Sequence, residues 1–374
     1  MRILFWSSAF LPQIGGTGVL AAQFLPAMQK RGYEYIVVSS RGDLSLPSNT
    51  TFNGIPVQRF TFWQSILEID SLAQVKQQVA NLKRLFAPDL IHINGVGRDD
   101  FFHLVTVNAH RAPLLVTLHG EWASQADAIV RLTLTSADWV VGCSNAILDK
   151  ARKLAPEIIP RSCVIFNAVP EGHIPPEPLS MHGLRVLCLG RLSEEKGFDL
   201  GLAAFASIVE HFPHARLIIA GDGPERAKLA RQASQLRLSD AVEFIGWVAP
   251  KDVSALINTA TIVMIPSRLE SLPIAALQAA QMARPVVGTR VGGIPELVIH
   301  QKTGLLVDKE NPEALAKAMA FLFDNPQEAT RMGQAARDRV KTKFDWERHV
   351  NAYERLYQEL TNAGATRPFL SREN

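Results

Sequence analysis

Short apolar runs alternate with longer amphipathic stretches in the first half of the chain. Uninterrupted apolar runs of about four to eight residues are typical of strands buried on both faces of a sheet, and apolar residues at three- and four-residue spacing predict helices. Their alternation predicts a parallel sheet covered by helices. The predicted strands are Arg2–Ser7, Tyr35–Ser39, Leu90–Asn94, Leu114–His119 and Trp139–Cys143, and the predicted helices are Leu20–Lys30, Leu72–Phe86 and Asp127–Thr135.

The same alternation begins again after a proline-rich segment, Pro170–Pro178, which shows no periodicity and is typical of a linker between domains. The second half is therefore expected to form a sheet of its own. Its predicted strands are Arg185–Leu189, Arg216–Ala220, Ala241–Ile245, Thr261–Ile265, Val286–Gly288 and Gly304–Val307, and its predicted helices are Phe198–Glu210, Glu225–Leu236, Ile274–Met282 and Trp346–Leu360.

The length of the chain agrees with this division. Its 374 residues exceed what one hydrophobic core usually spans. We therefore expect an N-terminal domain over residues 1–170 and a C-terminal domain over residues 180–345. One local conflict concerns Pro26, which lies inside the first predicted helix and should kink or shorten it because proline lacks an N–H.

Composition excludes several classes of protein. No segment approaches the roughly 18 consecutive apolar residues of a membrane-spanning helix, and the start of the chain fits a first strand better than a signal peptide. Cys143, Cys163 and Cys188 have no metal-ligand spacing and are expected to be buried free thiols in a reducing cytoplasm. A net charge of +3 is too small to indicate nucleic-acid binding.

A glycine turn, Gly15-Gly16-Thr17-Gly18, follows the first predicted strand. Glycines let backbone N–H groups approach an anion, and the next helix, which Thr17 is expected to cap, adds partial positive charge at its N-terminus. Gly16 is therefore a candidate ligand contact. Such a turn also serves tight packing between a strand and a helix, so both interpretations stay open.

A second loop, Gly190–Gly197, follows the first strand of the second half. Arg191 and Lys196 are close enough along it to point toward one place, where they would stabilise the negative charge of a departing diphosphate. The alternative is a solvated loop in which Lys196 pairs with Glu194 or Glu195.

Two further candidates follow strands. Glu270 comes after the strand Thr261–Ile265 and either accepts hydrogen bonds from sugar hydroxyls or caps the next helix. His119 ends a strand of the first half, at the sheet edge where ligands bind in open α/β folds. A single histidine is more often structural, so this residue also has two interpretations.

Several well-known motifs are missing from the sequence. It contains no Asp-x-Asp pair for a metal–nucleotide complex, no P-loop and no serine-hydrolase elbow. Because Arg191 and Lys196 could neutralise a diphosphate by themselves, we expect neither a metal ion nor another cofactor.

Six sequence motifs, and the order in which they follow one another along the chain, resemble those of the family 4 retaining glycosyltransferases, also known as glycosyl transferases group 1. The resemblance runs through most of the chain. It implies an α/β fold of GT-B architecture, with two Rossmann-like parallel-sheet domains facing a central cleft. The motifs are Gly190-Arg191-Leu192 with Glu195-Lys196-Gly197, Ala220–Pro224, Phe244–Val248, Pro266-Ser267 with Glu270, Gly292–Glu296 and Thr303–Val307.

The resemblance also implies residue roles. Arg191 and Lys196 match the diphosphate pair, Glu270 matches the first glutamate of the Glu-x7-Glu motif, and His119 matches a histidine near the transferred sugar. The second glutamate position of this motif is Gln278 here. Glutamine lacks the negative charge, so the resemblance does not determine which nucleotide the donor carries. The implied donor-binding residues are Gly16, Gly190, Gly246, Trp247, Val248, Ser271, Leu272, Pro273 and Gln278. A last helix, about residues 346–374, resembles one that packs back on the N-terminal domain.

The function implied is that of a retaining hexosyltransferase. It would move a sugar from a UDP- or GDP-sugar, held by the C-terminal domain, to a hydroxyl of a glycan, a lipid-linked acceptor or a small molecule, held by the N-terminal domain. Alternatives are a GT-B phosphorylase or epimerase, and a non-catalytic sugar-nucleotide-binding protein, for which Gln278 is the only hint.

Membrane contact is a separate hypothesis. The helix Leu72–Phe86 carries basic residues and follows several aromatic residues, a combination that suits contact with anionic lipid. An ordinary surface helix with a core-facing stripe explains the same pattern. We expect a cytoplasmic protein, with contact at the inner face of the membrane as the hypothesis. The residues concerned are Phe60, Phe62, Trp63, Lys76, Lys83 and Arg84.

Overall fold

The computed structural model describes residues 1–12, 15–42, 46–62, 69–120, 128–181 and 183–362. The chain forms two compact units, and the second is inserted into the first. Unit 1 comprises Met1–Phe166 and Glu347–Asn374, and unit 2 comprises Asn167–Trp346. Each unit has a β-sheet of its own.

Unit 1 contains a mostly parallel sheet in the order β3-β4-β2-β1-β5-β6-β7-β8; among its described strands, β3 and β4 pair antiparallel and the other neighbours pair parallel. Its strands are β1 (Arg2–Trp6), β2 (Glu34–Ser40), β3 (Asn49–Phe52), β4 (Ile55–Phe60), β5 (Leu90–Asn94), β6 (Leu114–Leu118), β7 (Trp139–Gly142) and β8 (Ser162–Val164). The helices of this part are α1 (Gly16–Gln29), α2 (Ile69–Phe86), α3 (Asp100–Leu104), α4 (Ala128–Ser136) and α5 (Asn145–Leu154).

Helix α1 is not shortened at Pro26, and its N-terminus lacks the predicted side-chain cap. It continues past Pro26 to Gln29, because Leu25 and Met28 are fully buried and packing holds this turn in place. Its N-cap is Gly15, and no side chain within the described residues caps it. The expectation that Thr17 caps the helix is therefore wrong.

Unit 2 contains an all-parallel sheet in the order β11-β10-β9-β12-β13-β14, which is the strand order of a Rossmann fold. Its strands are β9 (Arg185–Leu189), β10 (Arg216–Ala220), β11 (Val242–Gly246), β12 (Ile262–Ile265), β13 (Val286–Thr289) and β14 (Gly304–Val307). Its helices are α6 (Phe198–His211), α7 (Arg226–Gln235), α8 (Val253–Asn258), α9 (Ile274–Gln281), α10 (Ile294–Leu297), α11 (Pro312–Asp324) and α12 (Pro326–Lys343).

The predicted linker Pro170–Pro178 belongs to unit 2 and does not lie between the two units. Asn258 donates its Nδ2 hydrogen to the Pro175 carbonyl at 2.9 Å, and the Arg284 Nη1 atom donates to the Glu177 carbonyl at 2.9 Å. Arg284 is fully buried. The proline content predicted irregular structure here, as observed, but these contacts come from residues far away in the sequence.

Helix α13 (Trp346–Asn362) returns the chain to unit 1. Its buried face includes Tyr353 and Tyr357, as its periodicity predicts. The Tyr357 hydroxyl lies 2.7 Å from the Nδ1 atom of His92 on β5. In the described part of the chain, no helix is both long and apolar enough to cross a membrane.

Candidate active site

Two loops meet at the carboxyl edge of the sheet in unit 2. One follows β9 and carries Lys196, and the other follows β12 and carries Glu270. These strands are neighbours, and the strand order reverses between them. Open α/β sheets bind their ligands at such a reversal. The Lys196 Nζ atom lies 2.7 Å from the Glu270 Oε2 atom.

The environment of this ion pair differs for its two members. The Glu270 side chain is 7% exposed, whereas that of Lys196 is 27% exposed. The Ser267 hydroxyl donates a second, longer hydrogen bond of 3.3 Å to the same carboxylate oxygen. A lysine ammonium has three hydrogens to donate, and one suffices for Glu270. Lys196 can therefore keep this carboxylate and still bind an anion.

The structural alternatives for these two residues are wrong. Lys196 forms its ion pair with Glu270 and not with Glu194 or Glu195. Helix α9 has Pro273 as its N-cap, and no described side chain, Glu270 included, caps it, so Glu270 does not have the capping role.

Two glycines hold the loops of this edge close together. A Cβ added at Gly197, which directly follows Lys196, would collide with the Pro266 carbonyl oxygen, and one at Gly292 would collide with the Glu270 carbonyl oxygen. Both glycines have left-handed backbones, with φ of +64° and +50°. These motif glycines therefore allow the backbones of three loops to pack against one another.

Arg191 lies at the same edge, immediately after Gly190. Its side chain is exposed, and within the described residues its guanidinium forms no ion pair. The Gly190 N–H donates to the Ala220 carbonyl at 3.0 Å, so this donor is already used within the sheet. The diphosphate role of Arg191 and the donor-binding role of Gly190 stay predictions.

The remaining residues assigned to donor binding in unit 2 also follow strands of this sheet. The segment Gly246–Val248 begins at the end of β11, and the Gly246 carbonyl accepts from the Gly221 N–H at 2.7 Å. Trp247 is about half exposed, at 51%. Ser271 is partly buried, Leu272 and Pro273 are buried just before α9, and Gln278 is partly buried on α9. Their contacts with a donor stay predictions.

Arg268 and Asp199 were missed in the sequence analysis. The Nη1 and Nη2 atoms of Arg268 each donate to one carboxylate oxygen of Asp199, both at 2.7 Å, and its Nε atom donates to Glu310 at 2.7 Å. Burial alone would raise the pKa of Asp199, but the hydrogen bonds from Arg268 prevail and lower it. The sequence did offer a sign of this ion pair, because Arg268 lies two residues before Glu270 and Asp199, of opposite charge, lies three residues after Lys196.

His119 and Gly16 lie in unit 1, at the carboxyl edge of the other sheet. His119 directly follows β6, and its Nε2 atom lies 2.7 Å from the Oδ1 atom of Asn94, the last residue of the neighbouring β5. An amide oxygen only accepts, so the imidazole donates through Nε2. Gly16 is the exposed first residue of α1. The sequence analysis missed Asn94.

Three of the six residues assigned to membrane contact are buried. Phe60, Phe62 and Lys83 are buried, and burial lowers the pKa of Lys83 to about 7. The Lys83 Nζ atom donates to the His103 carbonyl at 3.1 Å. For these three residues the lipid-contact hypothesis is wrong. Lys76 and Arg84 are exposed, and Trp63 lies outside the described residues.

Metal ligands were not expected at this site. Among the residues that the structure describes, no three or more His, Cys, Asp or Glu side chains come together as a metal site would require. Activity without a metal stays a prediction.

The two Rossmann-like sheets define an α/β protein of GT-B architecture, which confirms the predicted fold class. Solved structures support this fold. Sucrose-phosphate synthase from Thermosynechococcus elongatus superposes with a TM-score of 0.84 at 21% identity, over 97% of this chain and 99% of that one. The Anabaena protein HepE in complex with UDP and glucose superposes with a TM-score of 0.81 at 21% identity, over 96% of this chain and 100% of that one.

Family models match both halves of the chain. The model described as Glycosyltransferase Family 4 matches residues 14–172, and the model described as Glycosyl transferases group 1 matches residues 174–339. Glycogen synthase from Mycobacterium tuberculosis is 26% identical over 96% of this chain and 94% of its own length. The chain belongs to the glycosyltransferases of the group 1/family 4 type, enzymes that use nucleotide sugars.

Proposed function

We propose that the chain is a retaining glycosyltransferase that takes its sugar from a UDP- or GDP-linked donor. The observation that carries this proposal is the ion pair of Lys196 and Glu270 at the strand-order reversal of unit 2. It combines a cation for a diphosphate with a carboxylate for sugar hydroxyls within a few ångströms. The UDP complex of the fold relative HepE supports a nucleoside diphosphate sugar as the donor.

In the reaction, the bond between the anomeric carbon and the diphosphate oxygen breaks as the acceptor oxygen bonds to that carbon. Negative charge grows on the departing diphosphate, where Lys196 and the exposed Arg191 stabilise it electrostatically. The acceptor approaches from the leaving-group side, and its proton passes to the diphosphate oxygen. The anomeric configuration is then retained without a covalent intermediate, unlike the two-carboxylate route of retaining glycosidases.

The proposal assigns the acceptor to unit 1. His119 is half-buried and oriented by Asn94, and among the described residues no side chain caps the start of α1 at Gly16, where backbone N–H groups would donate to an anion or hydroxyl. The acceptor is a hydroxyl of a glycan, a lipid-linked molecule or a small molecule, so the enzyme serves polysaccharide or glycolipid synthesis.

The proposed reaction needs no metal ion. The side chains of Arg191 and Lys196 supply the positive charge that a metal ion would otherwise provide to the diphosphate, so activity is expected to persist when a chelator is present.

The test begins with a screen of slow donor hydrolysis over UDP-glucose, UDP-N-acetylglucosamine, GDP-mannose and ADP-glucose. With the best donor, Lys196→Ala should lower kcat by about 10²- to 10³-fold, the usual effect of removing one group that stabilises transition-state charge. Lys317→Ala, which removes an exposed lysine of α11, is the matched control. Unchanged turnover in Lys196→Ala would remove the diphosphate role.

The stereochemical part has its own test. Proton NMR of the first product should show the anomeric configuration of the donor. An inverted product would contradict retention while leaving the donor site in place.

A further inference from the structure

Arg268 joins three loops at the carboxyl edge of unit 2. Besides the hydrogen bonds to Asp199 and Glu310, its Nη1 atom donates to the Glu194 carbonyl at 3.0 Å. Asp199 lies in the first turn of α6, after β9, and Glu310 follows β14. Arg268, which follows β12, thus holds the segment after β9 and the loop after β14 with one side chain.

The backbone around Arg268 makes the same connection. The N–H groups of Arg268 and Leu269 both donate to the Glu195 carbonyl, at 2.8 and 3.2 Å. Glu195 directly precedes Lys196, and Leu269 directly precedes Glu270. These hydrogen bonds therefore fix the two loops against each other immediately beside the ion pair.

The geometry requires an arginine. The guanidinium forms a two-point contact with the Asp199 carboxylate and still has its Nε hydrogen for Glu310. A planar fork of this kind fixes the direction of its partner, which a lysine ammonium cannot do. The two ion pairs raise the pKa of Arg268, so its charge is permanent.

We propose that Arg268 is a positioning residue for the transfer reaction, one that holds Lys196 at Glu270 by bracing the loop on which Lys196 lies. Its side chain acts through the Glu194 carbonyl and the Asp199 carboxylate, which flank Lys196 on both sides. The inference rests on the proposed function of Lys196, because positioning matters for turnover only if Lys196 binds the diphosphate.

The test uses the full-length protein with Arg268→Met, Arg268→Lys and Asp199→Asn. The last variant keeps the shape of the partner and removes its charge, so it covers the case in which Arg268→Met does not fold. Arg331→Met is the matched control, because Arg331 forms a comparable 2.7 Å ion pair with Glu328 on the surface of α12.

Two readouts separate positioning from stability. The first is the rate at which limiting acetic anhydride acetylates Lys196 in the protein without substrate, followed by mass spectrometry, with Glu270→Gln as the variant that releases Lys196 from its ion pair. The second is the split between kcat and KM for hydrolysis of the best donor from the screen, measured well below the melting temperature of each variant.

In Arg268→Met and Asp199→Asn, acetic anhydride should acetylate Lys196 at least about threefold faster than in the wild type. Their kcat should be about 10- to 100-fold lower, since displacing a catalytic group by about 1 Å slows the reaction strongly. Arg268→Lys should recover part of both effects, and Arg331→Met should show neither. Faster acetylation together with a fully active Lys196→Ala would contradict the proposed function and keep the positioning. If Lys196→Ala is inactive but both Arg268→Met and Asp199→Asn show wild-type acetylation and kcat, Arg268 does not position Lys196. The proposed role of Lys196 then still stands.

Discussion

Lys196 and Glu270 are 74 residues apart in the sequence, yet their side chains meet at 2.7 Å. The contact exists because β9 and β12 are neighbours in the sheet and each is followed by one of the two loops. In this position Glu270 determines where the ammonium group lies.

Glu270→Gln should therefore lower kcat by about 100-fold, because the amide keeps the size of the side chain but loses the charge that holds Lys196. Steady-state donor hydrolysis measures this change. Glu313→Gln removes the carboxylate of an exposed ion pair with Lys317 and should leave kcat unchanged. A kcat within threefold of the wild type in Glu270→Gln would show that the carboxylate has no part in the reaction.

Gly292→Ala should destabilise the protein by about 3 kcal/mol or more, since the new Cβ combines a left-handed backbone with a collision against the Glu270 carbonyl. Gly183 is the control, because it has a similar φ of +67° and a Cβ added there would meet no atom of the described residues within 4 Å. Gly183→Ala should cost only about 1 kcal/mol. Urea unfolding measures both values, and equal losses would contradict the close approach of the two loops.

A pH effect is expected from Asp99 in unit 1. The residue is 1% exposed, and burial raises the pKa of its carboxyl to about 6, although a nearby Ser8 hydroxyl partly opposes this. The unfolded value is about 3.9, so the folded state binds the proton more tightly. This group therefore adds stability as the pH falls through about 6, an increase of about 2 kcal/mol between pH 8 and pH 4.5.

Asp99→Asn removes this titration. The free energy of unfolding of the variant minus that of the wild type should be about 2 kcal/mol larger at pH 8 than at pH 4.5, because only the wild type loses stability as Asp99 ionises. Urea unfolding of both proteins at the two pH values gives the difference. If the gap between them does not change with pH, Asp99 is not the buried acid described above.

Tyr357→Phe tests how α13 is attached to unit 1. The change leaves the Nδ1 atom of buried His92 without its partner and should cost about 1–3 kcal/mol. Arg355→Ala, at an exposed position of the same helix, should change the free energy of unfolding by less than about 0.5 kcal/mol. Thermal unfolding compares the two, and equal effects would argue against this hydrogen bond.

The sequence predicted the bounds of β9 and β10 well, because after its first arginine each is a continuous apolar run whose length sets the end of the strand. It missed β3 and β4, which are partly polar. The signal for this hairpin was Asn53-Gly54 between two short runs, where both residues have positive φ.

The candidate site was only partly predictable. Motifs identified Lys196 and Glu270 separately, but their pairing depends on which strands become neighbours, so Glu194 and Glu195 remained equally plausible partners for Lys196. Arg268 and Asn94 were missed for the same reason, since each acts on a residue that only the folded sheet brings near. Lys83 shows the converse error, because a basic residue on a helix was expected at the surface and is buried.

The most direct measurement is a crystal structure of the protein with UDP or its best donor bound. The account predicts diphosphate oxygens within hydrogen-bonding distance of both the Lys196 ammonium and the Arg191 guanidinium, at the end of β9. A diphosphate bound elsewhere, out of reach of both side chains, would contradict the account.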